Sequence, residues 1–322
     1  MLNTFLLDAT LAIIFAFLLD VIFAEPKRWH PLVGFGFLAN CIEKRLNQAH
    51  FSTMSQQLLG VMSGLLLIIF PTIILIILAA MIKNQLSVTW LIEGALLYIC
   101  LGYTSLRQHG MAVFTSLQAN DLLLAREKVG LIVSRDTKSL DELGVRRAGI
   151  ESVLENGCDA IFAPIFWFLI GGVPAVIVYR LTNTLDAMWG YKDSRFLFFG
   201  RFSARMDDIL NYIPSRLVGL SYALVGSFSA AIRCWLQQAH LLASPNGGVV
   251  MAAGAGALTI TLGGDSVYLG EKLTKPVFGC GRSPENKDIR RALFLLDKTL
   301  CLWLTVLLVW LGLQCLLQWV SQ

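Results

Sequence analysis

The sequence predicts an all-α integral membrane protein with about four to six membrane-embedded helices. Three observations lead there. Of 322 residues, 56% are hydrophobic and only 15% charged, and mean hydropathy is +0.64; a soluble chain carries about 25% charged residues. Two long runs, Leu58–Ile82 and Thr299–Val320, contain no charged residue at all. No stretch alternates polar and apolar residues for long, so almost no sheet is expected.

Each element follows from local pattern. Leu58–Ile82 would be about 37 Å long as a helix, enough to cross a bilayer with some tilt. Leu86–Leu106 is apolar apart from Glu93, and Leu2–Ala24 is long enough to cross although it carries Asp8 and Asp20. With no basic start and no small-residue cleavage site, this first run is expected to be retained. Ile161–Tyr179 is interrupted by Gly171-Gly172-Val173-Pro174. Proline removes a backbone donor and glycine weakens a helix, so a re-entrant or interfacial hairpin is expected there. Leu217–Ile232 and Val249–Leu262 are short and rich in small residues, which suits close packing inside a bundle or a place at the interface. Gln108–Asp159 is the largest soluble-looking stretch and reads as helices around a turn at Gly130. The expected organisation is one membrane-embedded domain, 1–322, with 107–158 as a cytoplasmic helical insertion.

Charge sets the sidedness. The formal net charge of +4 gives no case for nucleic acid as a partner. Basic residues gather after the first span, after the third and before the last, and the positive-inside tendency puts all three regions in the cytoplasm. Seven cysteines are scattered without a Cys-x-x-Cys pair, so they read as small buried hydrophobes rather than a disulfide or zinc framework.

The chemistry-bearing residues lie next to these apolar runs. Arg147, Glu151, Glu155 and Asp159 are spaced four apart and would share one slowly drifting helix face, with Asn156 beside it. Carboxylates that close repel unless a cation sits among them. Magnesium suits such a set, since it takes hard oxygen ligands and keeps some waters; a solvated face with one Arg–Glu pair is the plain alternative. Asn183 and Asp186 are i, i+3, and Asp207 and Asn211 are i, i+4, with Asp208 adjacent. Arg201, Arg205 and Arg216 surround that block, and arginine forks match phosphate or carboxylate. Mutual ion pairing and a helix N-terminal acidic pair explain the same residues. In Ser134-Arg135-Asp136-Thr137, Asp136 or Thr137 is expected to cap the next helix, which leaves Arg135 without a role. Two prolines close to His30 in Glu25-Pro26-Lys27-Arg28-Trp29-His30-Pro31 fix a rigid turn, and Ser244-Pro245-Asn246-Gly247-Gly248 is a turn by composition. No Walker-type phosphate loop, dinucleotide fingerprint or Ser/His/Asp nucleophile set stands out.

Taken in order along nearly the whole chain, these blocks resemble the adenosylcobinamide-phosphate synthase family, the CbiB/CobD type of cobalamin biosynthesis. The resemblance is carried by Asp20…Glu25-Pro26…His30-Pro31, Ser134-Arg135-Asp136-Thr137, Glu151…Glu155-Asn156…Asp159…Ala163-Pro164 and Asn183-Thr184-Leu185-Asp186…Gly190-Tyr191-Lys192. It continues through Ala204-Arg205-Met206-Asp207-Asp208…Asn211-Tyr212…Pro214…Arg216, Ser244-Pro245-Asn246 and Gly263-Gly264…Tyr268…Gly270. The family usually has Gly-Asp-Pro where this chain has Ala24-Glu25-Pro26, and Pro-His-Pro is shortened to His30-Pro31. The resemblance implies a multi-pass enzyme of the cell inner membrane with its polar active-site face in the cytoplasm. It also implies ATP-dependent ligation, with magnesium, of a corrinoid carboxylate (adenosylcobyric acid) to (R)-1-amino-2-propanol or its O-phosphate. On that footing Glu151, Glu155, Asp186 and Asp207 are the expected catalytic residues. Glu155, Asp159, Asp207 and Asp208 are the expected metal ligands. Arg135, Asp136, Asn156, Asn183, Lys192, Arg205, Asn211, Arg216, Asn246 and His30 are expected to bind substrate. The lipid bilayer and other membrane enzymes of the corrinoid pathway are the expected partners.

Two other classes fit a polytopic chain. A transporter would place ionisable groups in mid-span, whereas Leu58–Ile82 and Thr299–Val320 have none. A non-catalytic membrane sensor of the same family would have no need of so many acidic blocks.

Overall fold

The computed structural model describes residues 2–26, 30–83, 89–134, 136–268 and 271–320. Among them, five helical stretches are long and apolar enough to cross a membrane: Leu6–Phe23, Thr53–Met81, Thr89–Gln118, Glu142–Trp189 and Asn286–Leu317. The protein is an all-α integral membrane protein, as its composition requires. The chain divides into two compact units, one of Met1–Gly102, Ala163–Asn211 and Gln314–Gln322, the other of Tyr103–Phe162 and Tyr212–Leu313.

The first unit contains α1 (Leu2–Phe23), α2 (Pro31–Leu46), α3 (Thr53–Lys83) and α4 (Thr89–Cys100). Helix α1 packs along α4, with Phe15 and Trp90 edge to face at 5.8 Å. Most of α3 stays uncovered: Leu65, Leu66, Ile69, Phe70, Ile73 and Ile77 are all exposed. A continuous apolar stripe of this kind is stable only against lipid or another apolar surface. Helix α2 starts where proline suits it, with Pro31 in the first turn and the His30 side chain accepting from the Leu32 N–H. At its far end the buried Glu43 is gripped by Arg195, whose Nε and Nη2 donate at 3.0 and 2.6 Å. That clamp ties the 190–200 segment to α2.

The glycine–proline break falls inside what would otherwise be a single helix, α8 (Ala163–Trp189). Gly171 and Gly172 are non-helical, and Gly172 has φ +63°. Trp167, before the break, donates to the Leu210 carbonyl at 3.1 Å. Tyr179, after it, donates to Asn211 at 3.0 Å. Both halves of α8 therefore reach the same stretch of α9 (Arg201–Val225). A straight 48-residue helix from Glu142 to Trp189 would be about 72 Å long, more than twice the hydrocarbon thickness, so the break is what lets this segment serve a membrane protein.

The second unit contains α5 (Tyr103–Gln118), α6 (Leu122–Gly130) and α7 (Glu142–Gly157), which continues into a π-turn, Cys158–Phe162. The helical reading of Gln108–Asp159 fits these elements, although Thr89–Gln118 and Glu142–Trp189, which overlap that soluble-looking stretch, are long and apolar enough to cross a membrane. The cap of α7 differs from expectation: Asp141, not Asp136 or Thr137, accepts from the Gly144 N–H at 2.7 Å. Asp136 instead accepts from the Lys138 N–H, and Thr137 donates to the Arg126 carbonyl. The turn is longer than its polar residues suggested, and capping needs a side chain one residue before the first helical turn. Beyond α9 come α10 (Phe228–Gln238) and α11 (Gly247–Leu258), the latter almost wholly buried. Chain 249–262 is thus not one apolar segment. It leaves the helix through Thr259 in the left-handed region and enters β1 (Thr261–Tyr268), which pairs antiparallel with β2 (Glu271–Gly279) around a bulge at Leu262/Gly264. The long helix α12 (Asn286–Val320) begins thirteen residues before the uncharged run that announced it. Its start is held by Asp288, fully buried between Arg282 and Arg291.

Candidate functional site

In the first unit, α8 and the beginning of α9 share a polar network in an otherwise apolar setting. Asp207 is its centre. Its Oδ1 accepts from Asn183 Nδ2 at 3.1 Å and its Oδ2 from Asn211 Nδ2 at 3.0 Å. Asn211 accepts in turn from the Tyr179 hydroxyl, and Asn183 accepts from Arg180 Nη1 at 3.5 Å. The helical spacings read from sequence, 183 to 186 and 207 to 211, place these groups on facing sides of two neighbouring turns. Burial pushes the Asp207 carboxyl above the usual carboxylate range; the two amides pull it back, and the Asp208 charge raises it. Asp208 is also raised by burial, with Lys192 opposing. Lys192 and Arg205 are exposed. Asp186 lies against Gly190, whose N–H donates to the Asp186 carbonyl at 2.7 Å, and a Cβ on Gly190 would collide with the Asp186 side chain. The glycine before Tyr191-Lys192 is there because nothing larger fits.

In the second unit, the acidic face of α7 looks onto glycine backbone. Glu151 is buried and accepts from the Gly263 N–H at 3.0 Å. Gly263 has φ +76°, and a Cβ there would run into the Pro276 carbonyl. Glu155 sits so close to Gly247 that a Cβ would strike its carboxylate, and the Arg147 guanidinium lies 2.7 Å from the corresponding position on Gly264. The α-helix ends at Gly157, and Asp159 stands in the π-turn that follows it. Asn156 donates to Ser152 Oγ at 2.8 Å, and Ser152 donates to the Ile132 carbonyl. Arg216 lies over the Tyr212 ring, 3.5 Å from its centre, and donates to the Tyr212 carbonyl and to Asn246 Oδ1 at 2.7 and 2.9 Å. The buried Asn246 also accepts from Ser215. The 244–248 turn is thus more than a surface connection: it carries an Asn–Arg pair and the glycine that faces Glu155.

Outside these two groups, His30 is buried at the head of α2, with Glu25 4.0 Å from its Nε2. Burial lowers its pKa, Glu25 raises it, and Arg180 lowers it. Its Nδ1 is the helix cap. Arg135 lies outside the described residues. Sequence reasoning passed over Tyr179, Arg180 and Ser215, and quoted Gly263 without linking it to Glu151. The first two stand four and three residues before Asn183, a spacing that could have flagged them.

Among the described residues no three His, Cys, Asp or Glu side chains gather into a metal-holding group. The acids present offer one described carboxylate pair, Asp207 with Asp208. Pairs suit an ion that completes its shell with phosphate oxygens and water, as magnesium does.

A sequence profile of the family described as CobD/Cbib protein matches residues 13–296. The chain is 49% identical over 298 residues to the cobalamin biosynthesis protein CobD of Stutzerimonas stutzeri, covering 92% of this chain and 96% of the relative. It is 48% identical over 300 residues to the protein of the same name from Chromobacterium violaceum, covering 92% and 95%. The CobD of Clostridium perfringens is 33% identical over 316 residues, 95% and 98% of the two chains. No solved structure matches. With a family match over most of its length and relatives of this identity, the chain belongs to the CobD/CbiB family of cobalamin biosynthesis proteins.

Proposed function

We propose that this protein is an adenosylcobinamide-phosphate synthase of the cell inner membrane, with its active site facing the cytoplasm. It would join the propionate carboxylate of adenosylcobyric acid to the amine of (R)-1-amino-2-propanol or its O-phosphate. The observation that carries the chemistry is Asp207: a half-buried carboxylate held on both oxygens by amides, in a chain whose family belongs to corrinoid synthesis. A carboxylate is a poor electrophile at neutral pH. Phosphorylation with ATP would give an acyl phosphate and ADP. Attack by the free amine then forms the C–N bond, breaks the acyl C–O bond and releases phosphate, and the ammonium proton must leave for a base.

Roles follow from position. Asp207 is fixed by Asn183 and Asn211 and would receive that proton. Asp186, one turn on from Asn183, would orient the amine. Lys192 and Arg205, both open to solvent, would hold phosphate oxygens. In the second unit, Glu151 and Glu155 would shape the glycine-lined surface for the corrinoid, with Asn156, Arg216 and Asn246 fixing that surface. Asp208, or Glu155 with Asp159, would hold magnesium, which neutralises phosphate charge when bound with ATP. Asp136 and Arg135 would bind substrate from the turn before α7, and His30 would hold the α2 entry in place.

The test is direct. Purified protein is incubated with adenosylcobyric acid, Mg-ATP and either amine, and the products are read by mass spectrometry. One corrinoid amide should form for each ADP released, and the amine that reacts identifies the substrate. ADP release without a corrinoid mass change, or no reaction with either amine, refutes the ligase reading.

A further inference from the structure

The second unit contains a cavity of about 360 Å³ where α5 meets the start of α12. Four cations line it, Arg107, Lys287, Arg290 and Arg291, against one carboxylate, Asp297. Leu293 and Phe294 supply apolar wall. Neither polar cluster described above contributes a side chain to it.

The four cations are not equally engaged. Arg107 pairs with Asp297, to which the Tyr103 hydroxyl also donates at 3.0 Å. Arg291 donates to the buried Asp288 and to the Leu258 carbonyl, at 2.7 and 2.9 Å. Lys287 reaches Glu285, but both side chains are more than half exposed, and such a pair is worth little. Arg290 faces an aromatic ring rather than a carboxylate, with its guanidinium 5.5 Å from the centre of Phe114. Lys287 and Arg290 therefore keep donors that an anion can take at small cost. A planar guanidinium beside an ammonium fits phosphate oxygens.

What stands beyond the cavity decides the kind of anion. Phe294 is exposed, and further along the same helix so are Val306, Leu308, Val309, Trp310 and Leu313. The exposed Lys298 lies over the Phe294 ring at 4.8 Å, and the uncharged run opens at the next residue, about 14 Å of helix beyond Arg290. Cations at the head of a lipid-facing helix lie at headgroup depth, and an apolar wall there would be wasted on a small soluble anion. We propose that this cavity binds an anionic phospholipid, its phosphate held by Arg290 and Lys287 and its glycerol–acyl portion lying along Phe294.

The experiment uses the full chain in detergent, with lipid retention read by native mass spectrometry. Wild type should retain phosphatidylglycerol over phosphatidylcholine of the same acyl chains. The K287Q/R290Q variant should hold phosphatidylglycerol about 30-fold less tightly, the change expected from two lost basic contacts. K44Q/R45Q, on exposed positions of α2, should retain it as wild type does. Raising salt from 0.1 to 1 M should release the lipid from wild type, because the screening length shrinks several-fold; this reading holds even where a variant misfolds. Equal retention by K287Q/R290Q, or retention indifferent to salt, overturns the proposal. So does displacement of the lipid by inorganic phosphate at equal concentration, which would make the cavity a soluble-phosphate site.

Discussion

The two polar clusters solve the same physical problem in different ways. Around Asp207, every described partner is a side chain: Asn183, Asn211, and behind them Arg180 and Tyr179. Around Glu151 and Glu155, the described neighbours include glycine backbone: the Gly263 N–H donates to Glu151, and a Cβ on Gly247 would strike the Glu155 carboxylate. A side-chain network has a polarity that can be rewired by changing one group. A carboxylate seated on glycine backbone has no such freedom, and its weakest point is the glycine. The first arrangement suits a group that must carry charge through a reaction, and the second suits a surface that must keep its shape.

The sharpest way to break that contrast is at Asp207. Arg180 can only donate, so Asn183 must present its carbonyl to Arg180 and its NH₂ to residue 207. The Tyr179 side is reversible, because a hydroxyl both donates and accepts. D207N can therefore rewire through Asn211 and Tyr179 and remain folded while losing the charge. Its rate of corrinoid amide formation should fall by at least about 100-fold, the usual contribution of a positioned base, with membrane yield unchanged. A rate within threefold of wild type would remove Asp207 from the chemistry. D207A, which leaves the buried Asn211 amide and the half-buried Asn183 amide without this acceptor, should also cost about 1–3 kcal/mol of stability.

The second cluster should show the opposite sensitivity. E151Q keeps an acceptor for the Gly263 N–H, so its melting temperature should barely move. G263A forces a Cβ into the left-handed region and against the Pro276 carbonyl, at a cost of about 2–4 kcal/mol. Thermal melts of the two variants in the same detergent give the comparison. A larger loss for E151Q than for G263A would mean that the charge, not the glycine, holds this surface.

This difference also explains what could be read from sequence. The Asp207 group was legible because its spacing is helical: 183 with 186 and 207 with 211 lie within single turns. The long apolar helices and the Gly171-Gly172 break were legible for similarly local reasons. The partners of Glu151 and Glu155 were not, because Gly263 and Gly247 lie 112 and 92 positions away, and no local period links them. The π-turn that takes in Asp159 was not legible either, because it leaves no mark in hydrophobic pattern. The β1–β2 hairpin was invisible for another reason. It contains Gly263-Gly264 and Lys272 to Lys275 rather than an alternating apolar pattern, and the bulge at Leu262/Gly264 breaks whatever alternation remains.

Arg216 connects the two modes, since it binds a side chain, Asn246, and a carbonyl, Tyr212, while lying over a ring. R216K keeps the charge but cannot make these contacts together. It should lower stability by about 1–2 kcal/mol and lower turnover only as far as the 244–248 turn shifts. R216K stability equal to wild type would mean that this turn is held by Ser244 and Ser215 alone.

The smallest effect is expected at His30, where side chain meets backbone without glycine. Its Nδ1 accepts from the Leu32 N–H at 3.2 Å, so the cap exists only while that nitrogen is unprotonated. Burial lowers the His30 pKa below its ordinary 6.5; Glu25 works against this and Arg180 with it. The sign follows. Below about pH 6.5 the unfolded chain takes up a proton that the folded chain resists, so the unfolded state gains and stability falls as pH drops. The loss stops once pH passes below the lowered folded value. H30N can cap the same helix without titrating. At pH 8 the two proteins should differ by no more than about 1 kcal/mol, and between pH 7 and pH 5 wild type should lose melting temperature relative to H30N. Parallel pH curves for the two would show that the proton does not compete with the cap, and that Glu25 compensates for the burial of the ring.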